Sequence, residues 1–269
     1  SSRQSDHFCW RGFRCKGGRA CQDSMFINIG DIRCYYERAG EGTPLLLLHG
    51  WGGNSGSMRP ILNLLKNHFS VINIDLPGFG RTNLPASFSI EDYALFTKDF
   101  LDGLGIDKVD LVTHSFGGRI AIFLAVNYPE LINRLVLVNA AGIRRRPPLY
   151  WIKLFLVKTL GKIESLKPRI YELIGSKDWK EAGILRQTLI KVVNHDLKPL
   201  LSKISQPTLL IWGENDRDVP VSSAKIMNKE IKGSDLVILK EAGHFSYLDR
   251  FPQFSKHLLG FLEIRLATL

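Results

Sequence analysis

Cysteine is scarce in this 269-residue chain, and its four cysteines, Cys9, Cys15, Cys21 and Cys34, all lie near the beginning. Residues 35–269 contain none, which excludes a fold held together by disulfides and fits a reducing compartment such as the cytoplasm. The first three cysteines follow one another at intervals of six residues, which is not the spacing of a zinc site. We therefore expect no bound metal.

Long apolar runs are also missing. Nothing approaches the roughly 18 residues that cross a membrane, and the run Leu45–Leu48 has the length of a strand. The first residues are basic and polar, without the apolar core of a secretory signal, and neither repeats nor low-complexity tracts are visible. Together with a composition of 45% hydrophobic and 23% charged residues, these absences favour a globular cytoplasmic protein.

The length fits one large α/β domain or two small ones. Residues 1–24 lack hydrophobic periodicity and precede Met25, where a strand pattern begins at once. We interpret them as a flexible extension and leave open whether they are native to the protein. A small disulfide-linked or metal-bound knot is the alternative interpretation.

Positive charge is concentrated in one internal block. The net charge is +10, and residues 143–203, with 14 basic and 5 acidic side chains, carry a net +9. Three interpretations of this block stay open. Its basic side chains form the solvated faces of amphipathic helices, attract anionic substrates, or contact an anionic membrane surface. Nothing beyond the raw charge suggests binding to nucleic acid.

From Met25 onward, strand and helix patterns alternate. Short β-branched or leucine-rich runs predict strands at residues 26–29, 32–37, 45–48, 71–75, 109–113, 135–139, 208–212 and 236–239. The first two are predicted to form a hairpin that turns at Gly30 and Asp31. Helices are predicted over residues 58–67 and 90–104, the second capped by Ser89. This alternation predicts a mostly parallel, doubly wound α/β sheet with helices on both faces.

Residues 143–203 interrupt that alternation. They are poor in strand patterns, rich in Leu, Ile and Lys, and have helical spacing over residues 149–160, 168–175 and 179–194. We expect this block to be a helical cap, or lid, inserted into a core that is formed by residues 25–142 and 204–269.

The most informative run is DLVTHSFGGR at residues 110–119. A buried strand stops at Ser115 and a helix follows at once, so the serine stands on a strained strand-to-helix turn. Small residues flank such a turn because the strand and helix backbones pass close together. The pattern G-x-S-x-G is met at Ser115 and Gly117, whereas Thr113 replaces the first glycine.

Other motifs follow other predicted strands. Residues 48–53 read LHGWGG, residues 75–82 read DLPGFGRT, residues 211–220 read IWGENDRDVP and residues 241–246 read EAGHFS. Ligands of α/β sheets bind at the carboxyl ends of the strands. We therefore expect these motifs to lie at one edge of the sheet, together with Ser115.

With these motifs in this order, residues 25–269 resemble a serine hydrolase of the α/β-hydrolase superfamily. The resemblance implies that Ser115 is the nucleophile, Asp216 the acid and His244 the base, in the family's chain order. It also implies that the backbone amides of Trp51 and Phe116 form the oxyanion hole. No cofactor is implied.

Other residues compete for these roles. Asp75 precedes the serine in the chain, so we assign it to structure. Asp218 is expected at the surface or at a helix cap, and Glu214 in a solvated turn. Of the other histidines, His257 is expected to pack on its helix, and His68 and His195 to lie at the surface or at a cap.

The remaining motif residues are expected to surround the substrate. His49 and His114 shape their loops and, with Gly50 and Trp151, are our candidates for the lining of the substrate pocket. Trp151 lies in the predicted cap, where it and its apolar neighbours would be the residues that contact lipid if the cap meets a membrane.

The resemblance predicts a two-step acyl transfer. His244 takes the proton of Ser115, the serine attacks a carbonyl carbon, and water then releases the acyl group. A serine at this position argues against the dehalogenase and epoxide hydrolase branches, which use aspartate. We favour a carboxylesterase that acts on small-molecule esters with short or medium acyl chains.

Several alternatives stay open. A hydrolase of carbon–carbon bonds in meta-cleavage products, a lactonase, a thioesterase and a cofactor-free haloperoxidase would use the same three residues. A receptor-like protein with little turnover is the alternative of another class. The oligomeric state is left open.

Overall fold

An eight-stranded sheet forms the centre of the computed structural model, which describes residues 22–144 and 183–263. Its strands are β1 (Gln22–Ile29), β2 (Ile32–Ala39), β3 (Pro44–Leu48), β4 (Ser70–Ile74), β5 (Val109–His114), β6 (Ile132–Val138), β7 (Thr208–Gly213) and β8 (Asp235–Leu239). They lie in the order β1-β2-β4-β3-β5-β6-β7-β8. β2 is antiparallel to both of its neighbours, and the other pairs are parallel. The predicted sheet is confirmed.

The first two strands form the predicted hairpin. Ile29 pairs with Ile32, and Gly30 has a φ of +54°, a conformation that glycine adopts without strain. β1 begins at Gln22, so the sheet includes three residues that the sequence analysis assigns to the extension. Residues 1–21, 145–182 and 264–269 lie outside the described residues, and so do most of the predicted cap and its Trp151.

Helices cover both faces of the sheet. They are α1 (Ser55–Leu65), α2 (Ile90–Gly103), α3 (Phe116–Asn127), α4 (Arg186–Asn194), α5 (Val221–Glu230), α6 (Ser246–Asp249) and α7 (Phe251–Phe261), with short 3₁₀ turns at Pro129–Leu131, Gly183–Leu185 and Lys198–Lys203. The predicted cap of α2 is present as a capping box: Ser89 Oγ accepts from the Asp92 amide, and the Asp92 carboxylate accepts from the Ser89 amide.

The leucines of β3 alternate between two hydrophobic cores. Leu46 and Leu48 pack in the core that contains residues of α2, α3 and α5, whereas Leu45 and Leu47 pack in the core that contains residues of α1 and α7. All four are fully buried, which explains the unbroken apolar run, because a strand covered on both faces needs no polar positions. Each such side chain contributes about 1.5–3 kcal/mol of burial free energy. The two cores hold the carboxyl ends of the parallel strands rigidly at one edge.

Candidate active site

Ser115 stands on a strained turn between β5 and α3. Its φ of +48° and ψ of −107° lie outside the regions that a serine ordinarily adopts. The helix leaves the strand at once because Gly117 has no side chain; a Cβ there would lie 2.6 Å from the backbone oxygen of Leu48. The elbow predicted from the sequence is therefore present.

Thr113, which replaces the first glycine of the elbow pattern, has a clear structural position. It is fully buried on β5, and its hydroxyl donates a hydrogen bond of 3.3 Å to the backbone oxygen of Val136 on β6. The threonine thus reinforces the pairing of two adjacent strands two residues before Ser115.

Three side chains that the sequence analysis selects meet at the sheet edge. His244 Nε2 lies 2.9 Å from Ser115 Oγ, and His244 Nδ1 lies 2.9 Å from Asp216 Oδ2. Since a carboxylate only accepts hydrogen bonds, Nδ1 carries the proton. In the neutral ring, Nε2 is then free to accept the proton of the serine hydroxyl. The geometry is that of a nucleophile, a base and an acid that orients the base.

The carboxylate of Asp216 is held at both oxygens. Oδ1 accepts the backbone amides of Asp218 and Val219, each at 2.9 Å, and Oδ2 accepts Asn139 Nδ2 at 2.6 Å in addition to His244. Burial alone would raise the pKa of Asp216, but the hydrogen bonds, with that of His244 the strongest, hold it below its ordinary value. The acid therefore stays ionised at neutral pH.

Two backbone amides beside Ser115 are left without an acceptor. Within the described residues, neither the Trp51 amide nor the Phe116 amide is hydrogen-bonded. Phe116 is the first residue of α3, where an amide has no partner inside the helix. The loop before Trp51 is held by the Gly50 carbonyl, which accepts from the Gly53 amide at 3.0 Å and from His49 Nδ1 at 2.7 Å. Both predicted oxyanion donors are thus available to a ligand oxygen.

His49 and Gly50 belong to the packed loop after β3, and their place in the lining of a substrate pocket stays a prediction. Both are buried, and each nitrogen of the His49 ring is engaged: Nδ1 donates to the Gly50 carbonyl, and Nε2 accepts from the Leu76 amide at 3.0 Å. Burial lowers the pKa of His49 to about 4, so its ring is neutral at neutral pH. It connects the loop after β3 to the loop after β4.

His114 is also buried, and its predicted place in the pocket lining likewise stays a prediction. Its Nε2 donates to the backbone oxygen of His244 at 2.9 Å, and the two rings lie 4.9 Å apart. Burial lowers the pKa of His114 to about 3, which keeps the ring neutral. Its contacts are therefore with the loop that carries His244.

The competing acids have other roles. Asp75 accepts the backbone amides of Ser55 at 2.6 Å and Arg81 at 2.8 Å, in keeping with its structural assignment. Asp218 and Glu214 are exposed, as expected. Ligand atoms of Asp216, Asp218 and His244 lie within 4.8 Å of one another, but the hydrogen bond between Nδ1 and Oδ2 already uses two of the atoms that a metal would need.

Within the described residues, three other histidines take no part in the hydrogen bonds of this site. His68 is exposed, and His195, which follows α4, has its Nδ1 3.1 Å from the Glu91 carboxylate. The prediction that His257 packs on its helix is wrong, because this residue is exposed on α7.

Aromatic side chains surround the nucleophile. The Trp51 ring packs edge-to-face against Phe79 at 5.0 Å and Phe116 at 5.4 Å, and Phe116 also contacts Tyr93 at 5.0 Å. Phe245 follows His244 directly and is 47% exposed. Of these rings, those of Trp51 and Phe245 reach solvent, whereas Phe79, Tyr93 and Phe116 are buried.

Sequence reasoning missed two residues close to this site. Asn139 at the end of β6 bonds to Asp216, and Arg119 on α3 donates its Nη1 hydrogens to the carbonyls of Val192 at 3.0 Å and His195 at 2.9 Å. The only signal for Asn139 was a polar residue at a strand end. Arg119 carried no signal, because an arginine on a helix is ordinarily solvated.

Two family descriptions match the chain. The family described as "alpha/beta hydrolase fold" matches residues 43–157, and the one described as "TAP-like protein" matches residues 191–263. The uncharacterized hydrolase YugF of Bacillus subtilis (strain 168) is 27% identical over 266 residues, which cover 88% of this chain and 97% of that protein. The 2-hydroxy-6-oxononadienedioate/2-hydroxy-6-oxononatrienedioate hydrolase of Escherichia coli O81 (strain ED1a) is 28% identical over 274 residues, which cover 89% of this chain and 95% of that protein.

Solved structures of hydrolases also resemble this chain in fold. A membrane phospholipase A superposes with a TM-score of 0.74 and 27% identity, covering 91% of this chain and 87% of the other. A serine hydrolase involved in carbazole degradation has a TM-score of 0.70 and 27% identity, covering 91% and 100%. The chain belongs to the α/β-hydrolase superfamily, and these relatives support hydrolase activity.

Proposed function

We propose that this protein is a serine hydrolase that cleaves carboxylic esters through an acyl-enzyme intermediate on Ser115. The observation that carries the proposal is the pair of hydrogen bonds, both 2.9 Å long, that link Ser115 to His244 and His244 to Asp216. A serine hydroxyl is a poor nucleophile until a neighbouring neutral imidazole takes its proton.

The reaction proceeds in two steps. His244 removes the proton from Ser115 Oγ as that oxygen bonds to the carbonyl carbon. The carbonyl oxygen then accepts hydrogen bonds from the backbone amides of Trp51 and Phe116. His244 then protonates the departing alcohol. In the second step His244 deprotonates a water molecule that attacks the acyl carbon, and it returns this proton to Ser115 Oγ as the acid departs. Asp216 stabilises the imidazolium formed in each step, and each oxyanion donor lowers the barrier by about 3–4 kcal/mol.

An ester is a substrate that a serine, its base and two oxyanion donors can cleave with no additional group. The half-buried Trp51 and the exposed Phe245, which follows His244, favour an apolar acyl group, and we infer a short or medium chain. The similarity to a membrane phospholipase A supports an ester bond.

Cleavage of a carbon–carbon bond is the second candidate. The Escherichia coli relative is named for a dienedioate, a dicarboxylate, and the net charge of +9 in residues 143–203 would attract such a substrate. Arg119 is a poor candidate for its partner, because the guanidinium is buried and its Nη1 donates to the carbonyls of Val192 and His195. Lactonase, thioesterase and receptor-like roles stay predictions.

A substrate panel with matched variants tests the proposal. The wild-type protein is assayed with p-nitrophenyl esters, thioesters, lactones and a vinylogous 1,5-diketone, beside Ser115→Ala and the surface control Ser222→Ala. We expect ester turnover in the wild type and in Ser222→Ala and none in Ser115→Ala. Turnover that persists in Ser115→Ala contradicts the nucleophile. Turnover of the diketone alone selects the second candidate, and tight binding without product release supports a receptor.

The other expectations on partners and location stay predictions. These are a small-molecule substrate, no binding to nucleic acid, membrane contact of the basic block only as the least favoured alternative, and a cytoplasmic location. Among the described helices, none is long and apolar enough to cross a membrane.

A further inference from the structure

Asn139 occupies an unusual position at the end of β6. It is fully buried, and its φ of +48° is one that few residues other than glycine adopt. Its backbone amide donates to the Ile211 carbonyl on β7 at 2.9 Å, so the backbone still follows the neighbouring strand. The side chain is thereby directed between the loops that carry Asp216 and His244.

The Asn139 side chain links both loops. Nδ2 donates to Asp216 Oδ2 at 2.6 Å and to the Gly243 carbonyl at 3.3 Å, and Oδ1 accepts the Ser246 hydroxyl at 2.5 Å. The orientation of the amide follows from this pattern, since the ionised carboxylate requires a donor. Ser246 lies two residues after His244, so the contacts close a ring through the acid, the amide, the serine and the base.

We propose that Asn139 is a positioning residue that fixes the Asp216 carboxylate and, through it, the ring of His244. The inference rests on the proposed function, because it assigns Asn139 a role in orienting His244, the base of the proposed reaction. Oδ2 of Asp216 accepts both the Asn139 amide and His244 Nδ1, so the amide determines where the imidazole finds its partner. Ser246 holds the other end of the amide, because its hydroxyl donates to Asn139 Oδ1.

Three variants distinguish the contribution of the Asn139 side-chain amide from that of the backbone turn at residue 139. Asn139→Gly accepts the positive φ and removes the amide, whereas Asn139→Ala removes the amide and adds backbone strain. We expect both to lower kcat about 10- to 100-fold, the loss of a charge-assisted hydrogen bond, with KM within about two-fold. Ser246→Ala should lower kcat about 2- to 10-fold. A wild-type kcat in Asn139→Gly overturns the proposal, because the residue would then serve only the turn.

Asn139→Asp supplies a further test, the pH dependence of kcat/KM, which a purely structural role of Asn139 would not change. The introduced carboxyl group can donate to Asp216 in place of the amide while it is protonated, whereas its ionised form places two carboxylates in contact. We expect kcat/KM of the variant, divided by that of the wild type, to fall as pH rises. The titratable groups that face Asp216 are His244, His114 and Asp218; all are present in both proteins. A ratio that does not change with pH overturns the proposal.

Two measurements without a substrate keep this inference distinct from the proposed function. Labelling by a fluorophosphonate reports the reactivity of Ser115, and absence of labelling and of turnover in the wild type contradicts the proposed function alone. The low-field proton resonance of His244 Nδ1–H reports the bond to Asp216. We expect this resonance to shift or broaden in Asn139→Gly. If Asn139→Gly does not fold, the same change is expected in Ser246→Ala. An unchanged resonance in a folded variant overturns the inference.

Discussion

The His114 ring donates a hydrogen bond from Nε2 to the backbone carbonyl of His244, at 2.9 Å. The residue immediately before the nucleophile on β5 thus holds the backbone of the base, which follows β8 and is 130 positions further along the chain. The ring also packs against Phe245 at 5.0 Å and Tyr247 at 5.2 Å. The distance between Ser115 and His244 is therefore set from the strand side as well as by Asp216.

Replacement of His114 by phenylalanine should lower kcat about ten-fold, because the ring packing is kept while the donor to the His244 carbonyl is lost. His114→Gln is the matched variant, since its amide nitrogen can reach the position of Nε2, and we expect a smaller loss. Steady-state kinetics on the best ester of the panel provide the measurement. Equal kcat values for the two variants would show that the hydrogen bond has no part in positioning His244.

Gly117 should not tolerate a side chain. A Cβ at this position would lie 2.6 Å from the Leu48 carbonyl oxygen and 2.8 Å from the Leu48 Cβ, so α3 would have to move away from β3. We expect Gly117→Ala to lower the free energy of unfolding by about 2–4 kcal/mol and to abolish ester turnover.

Gly260 provides the control for that experiment. It is also a helical glycine, on α7, and a Cβ there has no atom within 4 Å. Gly260→Ala should be neutral or should stabilise the protein by up to about 1 kcal/mol, because alanine is the better helix former. Urea denaturation of both variants provides the measurement, and equal stabilities would contradict the close approach of α3 and β3.

The sequence predicted those parts of the site that depend on strand order. Ser115, Asp216 and His244 each follow a strand of the parallel sheet, and such strand ends meet at one edge whatever the details of packing. It did not predict which motif residues face a ligand. His49 and His114 belong to the same motifs as Trp51 and Ser115, and only the packed structure distinguishes a buried ring from an exposed one.

Other differences have local physical causes. Residues 22–24 carry no apolar alternation, yet they pair with β2 because an edge strand is held by backbone hydrogen bonds. His257 lies beside the apolar positions Phe254 and Leu258 of α7. Those two side chains are buried, whereas that of His257 is exposed. Asn139 depends on contacts with residues 77 and 107 positions later in the chain, which no local pattern reveals.

Thr113 offers a test of the departure from the elbow pattern. Thr113→Val keeps the buried volume and removes the hydroxyl that donates to the Val136 carbonyl, so the free energy of unfolding should fall by about 1 kcal/mol. Because the hydroxyl contacts β6 and not the nucleophile, we expect kcat to stay within about two-fold of the wild type. A large loss of kcat at unchanged stability would mean that the threonine acts on the turn at Ser115.

Acid should destabilise the protein through two buried histidines. Burial lowers the pKa of His49 from 6.5 to about 4 and that of His114 from 6.5 to about 3. Below pH 6.5 the unfolded chain binds protons that the folded one does not, so stability is lost as pH falls from about 6.5 towards these folded values. We expect a loss of roughly 1–2 kcal/mol per histidine at about pH 5 and no contribution above about pH 7.

Urea denaturation as a function of pH measures this slope. His49→Gln should reduce the dependence on pH between about pH 7 and pH 5, even though the variant is less stable at every pH. The matched control is His68→Gln, which removes an exposed imidazole and should keep the wild-type slope. A His49→Gln slope equal to that of the wild type would contradict a neutral, buried His49.

The basic block at residues 143–203 should select for anionic substrates if its net charge of +9 attracts them. We expect the ratio of kcat/KM for p-nitrophenyl hemisuccinate to that for a neutral ester of similar length to fall several-fold between about 10 mM and 300 mM salt, because salt screens exposed charges. Neutralisation of the exposed Lys198 and Lys203 should lower the ratio at low salt. The same change at the exposed Lys225 and Lys229 of α5, outside the block, should leave it unchanged. A ratio independent of both salt and these lysines would mean that the charge only keeps helix surfaces solvated.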